Sequence, residues 1–195
     1  QTVWEDQPIY KEGTVLVNEV QYQDKTVRGG AGGDSLVGTN IIIKVKENII
    51  IAGKVGAPEA SAEGTTQSVV MEAGNSISIN NIETQVGENS RNSYVQATDS
   101  ISLHADAFVV VEDYAVIQTT ASNSSILITA NDELVLGLEG PAAYDDSTPP
   151  QLVDPIGEII SAGTLTIRSG GNIELSLGLT AKTNLIVSAG DSTLS

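Results

Sequence analysis

Ser161-Ala162-Gly163-Thr164-Leu165-Thr166-Ile167 joins a turn of small residues to a short β-branched strand. The unit returns as Lys182-Thr183-Asn184-Leu185-Ile186-Val187. Earlier copies read Glu72-Ala73-Gly74-Asn75-Ser76-Ile77-Ser78-Ile79, Gln96-Ala97-Thr98-Asp99-Ser100-Ile101-Ser102-Leu103 and Ser122-Asn123-Ser124-Ser125-Ile126-Leu127-Ile128. One such unit cannot bury its apolar face alone, but stacked copies can, so the recurrence is the signature of a solenoid.

The strands also come in pairs. Ile41-Ile42-Ile43 is followed eight residues on by Ile49-Ile50-Ile51, Ile126-Leu127-Ile128 by Leu134-Val135-Leu136, and Leu165-Thr166-Ile167 by Ile173-Glu174-Leu175. A third strand precedes the pair at Val69-Val70-Met71, Tyr94-Val95-Gln96, Val116-Ile117-Gln118 and Glu158-Ile159-Ile160. Three strands per coil give the triangular section of a parallel β-helix. Middle strands are expected to begin at 41, 77, 101, 126, 165 and 185, a basic coil of 20–25 residues. Two coils carry insertions, at 52–67 and 137–157, both expected after the third strand and so on one edge. Asn40, Asn48, Asn75, Asp99, Asp132, Asn172 and Asn184 each introduce a strand, where Asn and Asp tolerate the left-handed region and cap backbone groups. Gly74, Gly163, Gly170 and Gly171 are expected to supply positive φ. An antiparallel sandwich would favour Asn-Gly or Asp-Gly hairpin turns, and the chain has neither dipeptide.

Composition agrees. Of 195 residues 40 % are apolar but only 4 % aromatic, so a core must be assembled from Ile, Val, Leu and Ala, the residues that suit thin repeating layers. Asp and Glu number 25 against 9 Lys and Arg, a formal charge of −16, which argues against nucleic acid and anionic membrane surfaces as partners. With no Cys there are no disulfides, thiolate metal sites or cysteine nucleophiles. No apolar run reaches the roughly 18 residues of a membrane span, and no signal peptide is visible at Gln1.

Residues 1–33 do not fit the repeat and concentrate the large side chains Trp4, Tyr10 and Tyr22. They are expected to form an N-terminal cap or an extended arm, with the solenoid over 34–195. Four features bear on chemistry. Gly29-Gly30-Ala31-Gly32-Gly33-Asp34-Ser35-Leu36-Val37 fits the nonapeptide G-G-x-G-x-D-x-U-x and resembles RTX-type repeats, in which successive coils enclose calcium. The resemblance implies calcium as the one candidate cofactor and Asp34 as its ligand. Neighbouring segments do not repeat the motif, and one carboxylate falls short of the six to eight oxygens calcium takes. Asp145-Asp146 is a carboxylate pair of the kind polysaccharide-cleaving β-helices use, but it lies in a Pro-rich insertion with no basic neighbour. Tyr144 beside it could stack on a sugar. His104, the only histidine, follows Leu103 in the alternation and is expected to face outward without a catalytic partner.

From about residue 40 onward the chain resembles the filamentous-haemagglutinin type of repeat, best in Gly163-Thr164-Leu165-Thr166-Ile167-Arg168-Ser169-Gly170-Gly171-Asn172-Ile173-Glu174-Leu175. The resemblance implies a right-handed parallel β-helix, extracellular or bacterial cell-surface display, and a structural role in an adhesin, matrix protein or filament. The expected architecture is therefore all-β, a parallel β-helix of roughly six coils. The expected function is non-enzymatic, with coils associating head to tail on copies of themselves or on adjacent repeats. Trp4 and Tyr10 are expected to complement the opposite end, and Tyr144, Asp145 and Asp146 to form an assembly or ligand edge for surface glycans. The alternative is a carbohydrate-active β-helix enzyme, a lyase or hydrolase, or a carbohydrate-binding module.

Overall fold

The structure, a computed structural model, describes residues 21–23, 27–28, 35–57, 65–80, 93–138 and 157–190. The first coil has β1 (Gln21–Gln23), β2 (Val27–Arg28) and β3 (Ser35–Leu36). The second has β4 (Asn40–Val45), β5 (Asn48–Ile51) and β6 (Lys54–Val55), and the third β7 (Ser68–Ala73), β8 (Ser76–Ile79) and β9 (Tyr94–Ala97). The fourth has β10 (Ser100–Ala105), β11 (Phe108–Glu112) and β12 (Val116–Thr119), and the fifth β13 (Ser125–Ala130), β14 (Glu133–Leu138) and β15 (Glu158–Ser161). The sixth has β16 (Thr164–Ser169), β17 (Ile173–Leu175) and β18 (Gly178–Ala181), and β19 (Asn184–Ser188) follows it.

Every third strand stacks on the last. One sheet is β1-β4-β7-β10-β13-β16-β19, the second β2-β5-β8-β11-β14-β17 and the third β3-β6-β9-β12-β15-β18. All these pairings are parallel, and consecutive strands lie in different sheets, so the chain winds as a parallel β-helix of six coils and one further strand. At about 4.8 Å per coil the rod is about 30 Å long.

The core follows from period-2 alternation. Side chains on a strand point to opposite faces, so the inward set of each coil stacks on that of the next. Ile41, Val69, Ile101, Ile126 and Leu165 form one column, Ile49, Ile77, Val109 and Leu134 a second, and Val55, Val95, Ile117 and Ile159 a third, each residue at most 1 % exposed. These aliphatic columns meet along the axis. Among the described residues the buried hydroxyls are hydrogen-bonded to one another or to backbone: Thr119 Oγ1 lies 2.7 Å from Ser124 Oγ, and Ser161 Oγ donates to the Thr164 carbonyl at 2.9 Å.

Asn and Asp stand at the corners as the sequence predicts. Asn48 Oδ1 accepts from Asn75 Nδ2 at 2.7 Å and from Ser76 Oγ at 2.6 Å, tying one corner to the next coil. The glycines act differently from expectation. Positive φ occurs at Gly56, Gly137 and Gly190, not at Gly74, Gly163, Gly170 or Gly171. At those four a Cβ would collide with a backbone carbonyl of the preceding coil, at Lys46, Ser124, Asn131 and Asp132 respectively. Close approach between coils, not handedness of the backbone, selects glycine there.

The expected phase needs two corrections. Ser76–Ile79 belongs to the second sheet, while Val69-Val70-Met71, expected as a third strand, lies in the first. The segment 52–67 includes β6, and its remaining stretch joins the third sheet to the first. The long connections 80–93 and 139–157 both join the second sheet to the third, so the two expected insertions leave from different corners. At the N-terminal end, β1 and β2 pair with β4 and β5, so coils reach into the stretch expected as a cap.

Candidate functional site

Six residues singled out in the sequence lie outside the described residues: Trp4, Tyr10, Asp34, Tyr144, Asp145 and Asp146. Residues 29–34, which would carry a calcium loop, fall between β2 and β3 in the chain and outside the described residues. The corresponding corner of the next coil, Ala52-Gly53, has no carboxylate to complete a shared site. Among the described residues no group of three or more His, Asp or Glu is placed to hold a metal ion.

His104 does have partners. The register sets Lys44, Glu72, His104, Thr129 and Arg168 in one column on the outer face of the first sheet. Lys44 Nζ lies 2.6 Å from Glu72 Oε2. His104 Nδ1 lies 2.8 Å from Thr129 Oγ1, and its Nε2 lies 3.5 Å from Asp106 Oδ1. Thr129 comes from the next coil and Asp106 from the corner two residues on, an arrangement the sequence hides because coil length sets it. The imidazole thus stands between a hydroxyl and a carboxylate, but the Asp106 distance is beyond a hydrogen bond. The Thr129 hydroxyl also donates to the Leu103 carbonyl at 3.3 Å. Acyl transfer needs free N–H donors beside the nucleophile, and the flanking backbone groups belong to the β10–β13–β16 ladder. The His104–Thr129 contact within the column knits one coil to the next.

The other distinctive surface is the tail layer, made by β17, β18 and β19, the last strand of each sheet. Leu175, Leu185 and Val187 continue the columns of Leu136, Leu165 and Ile167, which are fully buried. In the tail layer the same positions are half exposed, at 49, 50 and 46 %. Leu179 and Ala181 of β18 are partly buried against the core. Each edge strand also presents backbone donors and acceptors that no described strand pairs.

Comparison with family models, with curated proteins and with solved structures gave no match to the chain. Among the described residues no helix is long and apolar enough to cross a membrane.

Proposed function

We propose that this chain is a structural, non-catalytic module of an extracellular bacterial surface adhesin, matrix protein or filament, and that its coils associate end to end. The observation that carries the proposal is the tail layer: core-type Leu175, Leu185 and Val187 stand half exposed beside three ladder edges that no described strand pairs. A neighbour that adds strands there gains main-chain hydrogen bonds and buries the aliphatic layer in one step. The repeat pattern and an acidic, cysteine-free composition suit display outside the cell.

Sedimentation over a wide concentration range, with and without calcium, tests the assembly. Concentration-dependent association is expected, and a species that stays monomeric at every concentration would count against it. A polysaccharide panel separates this reading from the carbohydrate-active alternative. No reducing ends should appear; release abolished by changing Asp145 and Asp146 would establish an enzyme instead.

A further inference from the structure

The second sheet carries an apolar patch on its outer face, in the fourth and fifth coils. Phe108 and Val110 alternate along β11 with Val109 and Val111, which are fully buried, so both point outward. Val135 of β14 stands beside Val110 in the register and, like it, is only partly buried. Phe108 is 41 % exposed, and Leu138, at the end of β14, 47 %. None of the four belongs to the core cluster.

Acids frame the patch. Glu133 is the register partner of Phe108, and Glu174 that of Val135. Asp106 and Asp132 stand at the corners that lead into β11 and β14, and Glu112 and Asp113 where β11 ends. Residues 105–138 and 169–177, which include β11, β14 and β17, hold these six acids and no Lys or Arg. An apolar patch with a polar rim marks a protein-binding surface, and the sign of the rim selects the partner. A second copy of this face would set acid against acid, and anionic polymers are repelled in the same way. A neutral apolar segment would desolvate the rim carboxylates with no counter-charge. A partner that brings both apolar side chains and Lys or Arg meets both demands.

We infer that the outer face of the second sheet, centred on Phe108, Val110 and Val135, docks a basic amphipathic segment of a partner protein. The partner's apolar side chains cover Phe108, Leu138 and the two valines, and its cations meet Glu133, Glu174 and Asp132. The face lies along the side of the coils and not in the tail layer, so this contact is independent of end-to-end association.

Fluorescence anisotropy of the full chain with labelled peptides tests the inference. A peptide of alternating Lys and Leu should bind saturably, and more weakly as potassium chloride is raised. Peptides of alternating Lys and Ser, or Glu and Leu, should bind at least about 10-fold more weakly. Phe108→Ser, with an unchanged melting temperature, should weaken the Lys–Leu peptide about 10-fold or more, as loss of a central aromatic contact does. Glu133→Gln with Glu174→Gln should weaken it about 5-fold and flatten its salt dependence. This second variant decides alone if Phe108→Ser unfolds the chain. Leu185→Asp, in the tail layer, should leave the affinity unchanged. Binding lost in Leu185→Asp but kept in Phe108→Ser would place the peptide on the tail layer and overturn the inference. Equal affinity for the Lys–Ser peptide, or no saturable binding, would also overturn it. So would self-association that Phe108→Ser abolishes, which would make a second copy the occupant.

Discussion

At the scale of single residues, two demands dominate: fill an aliphatic column, and let the next coil approach. Ile101 sits in the middle of its column at 1 % exposure, between Val69 and Ile126. Ile101→Asp places an unpaired carboxylate there and should cost about 4 kcal/mol, enough to unfold much of the rod. A wild-type melting temperature would contradict the register. Glycine offers a matched pair. Gly170→Ala drives a methyl group into the Asn131 carbonyl and should cost about 1–3 kcal/mol. At Gly178 the nearest atom to an added Cβ is Glu158 Cγ at 3.6 Å, so Gly178→Ala should be neutral or stabilising by about 0.5 kcal/mol. Urea midpoints that rank the two the other way would refute the close-approach explanation. The Lys44–Glu72 pair is partly solvated, and Lys44→Ala should cost under about 1 kcal/mol of pairing energy.

At the scale of strands and corners, the strand positions are legible in the sequence but their phase is not. Alternation in Ser76–Ile79 and in Ser100–Ala105 is the same, and so is the corner chemistry before each, Gly74-Asn75 against Thr98-Asp99. One of those corners turns from the first sheet to the second and the other from the third to the first. Nothing local separates them; only the neighbour one coil away does, and that neighbour lies 19 to 42 residues off in the strand register. The same reason concealed the partners of His104. Asp106 is near in sequence, but Thr129 meets the imidazole only because 25 residues complete that coil. The core columns, by contrast, follow from period 2 alone, and the exposed tail positions are ordinary Leu and Val in the sequence, distinguished only by having no described coil above them. Stacked coils also predict graded protection. Amides of β10 and β13, with coils on both sides, should exchange slowest, and those of β17, β18 and β19 fastest in dilute protein. Raising the concentration should slow the tail amides selectively; uniform exchange along the chain would argue against a coil-by-coil rod.

At the scale of the whole molecule, a formal charge of −16 opposes any crowding of copies. Added salt should therefore promote association by screening, at a neutral tail layer that has little to lose from it. Potassium chloride and calcium chloride at equal ionic strength should act alike if the effect is screening, whereas a calcium-specific response would direct attention to Asp34. All of this depends on parallel coils stacked in the stated register, and one column of outward residues reads that register out. Ile42 is followed along the first sheet by Val70, Ser102, Leu127, Thr166 and Ile186, one coil at a time. Spin labels on Ile42 paired in turn with Ser102, Leu127, Thr166 and Ile186 should give distances near ~10, ~14, ~19 and ~24 Å, rising by about 4.8 Å per coil. An order that departs from this even climb, such as Thr166 lying closer to Ile42 than Ser102 does, would contradict the parallel β-helix itself.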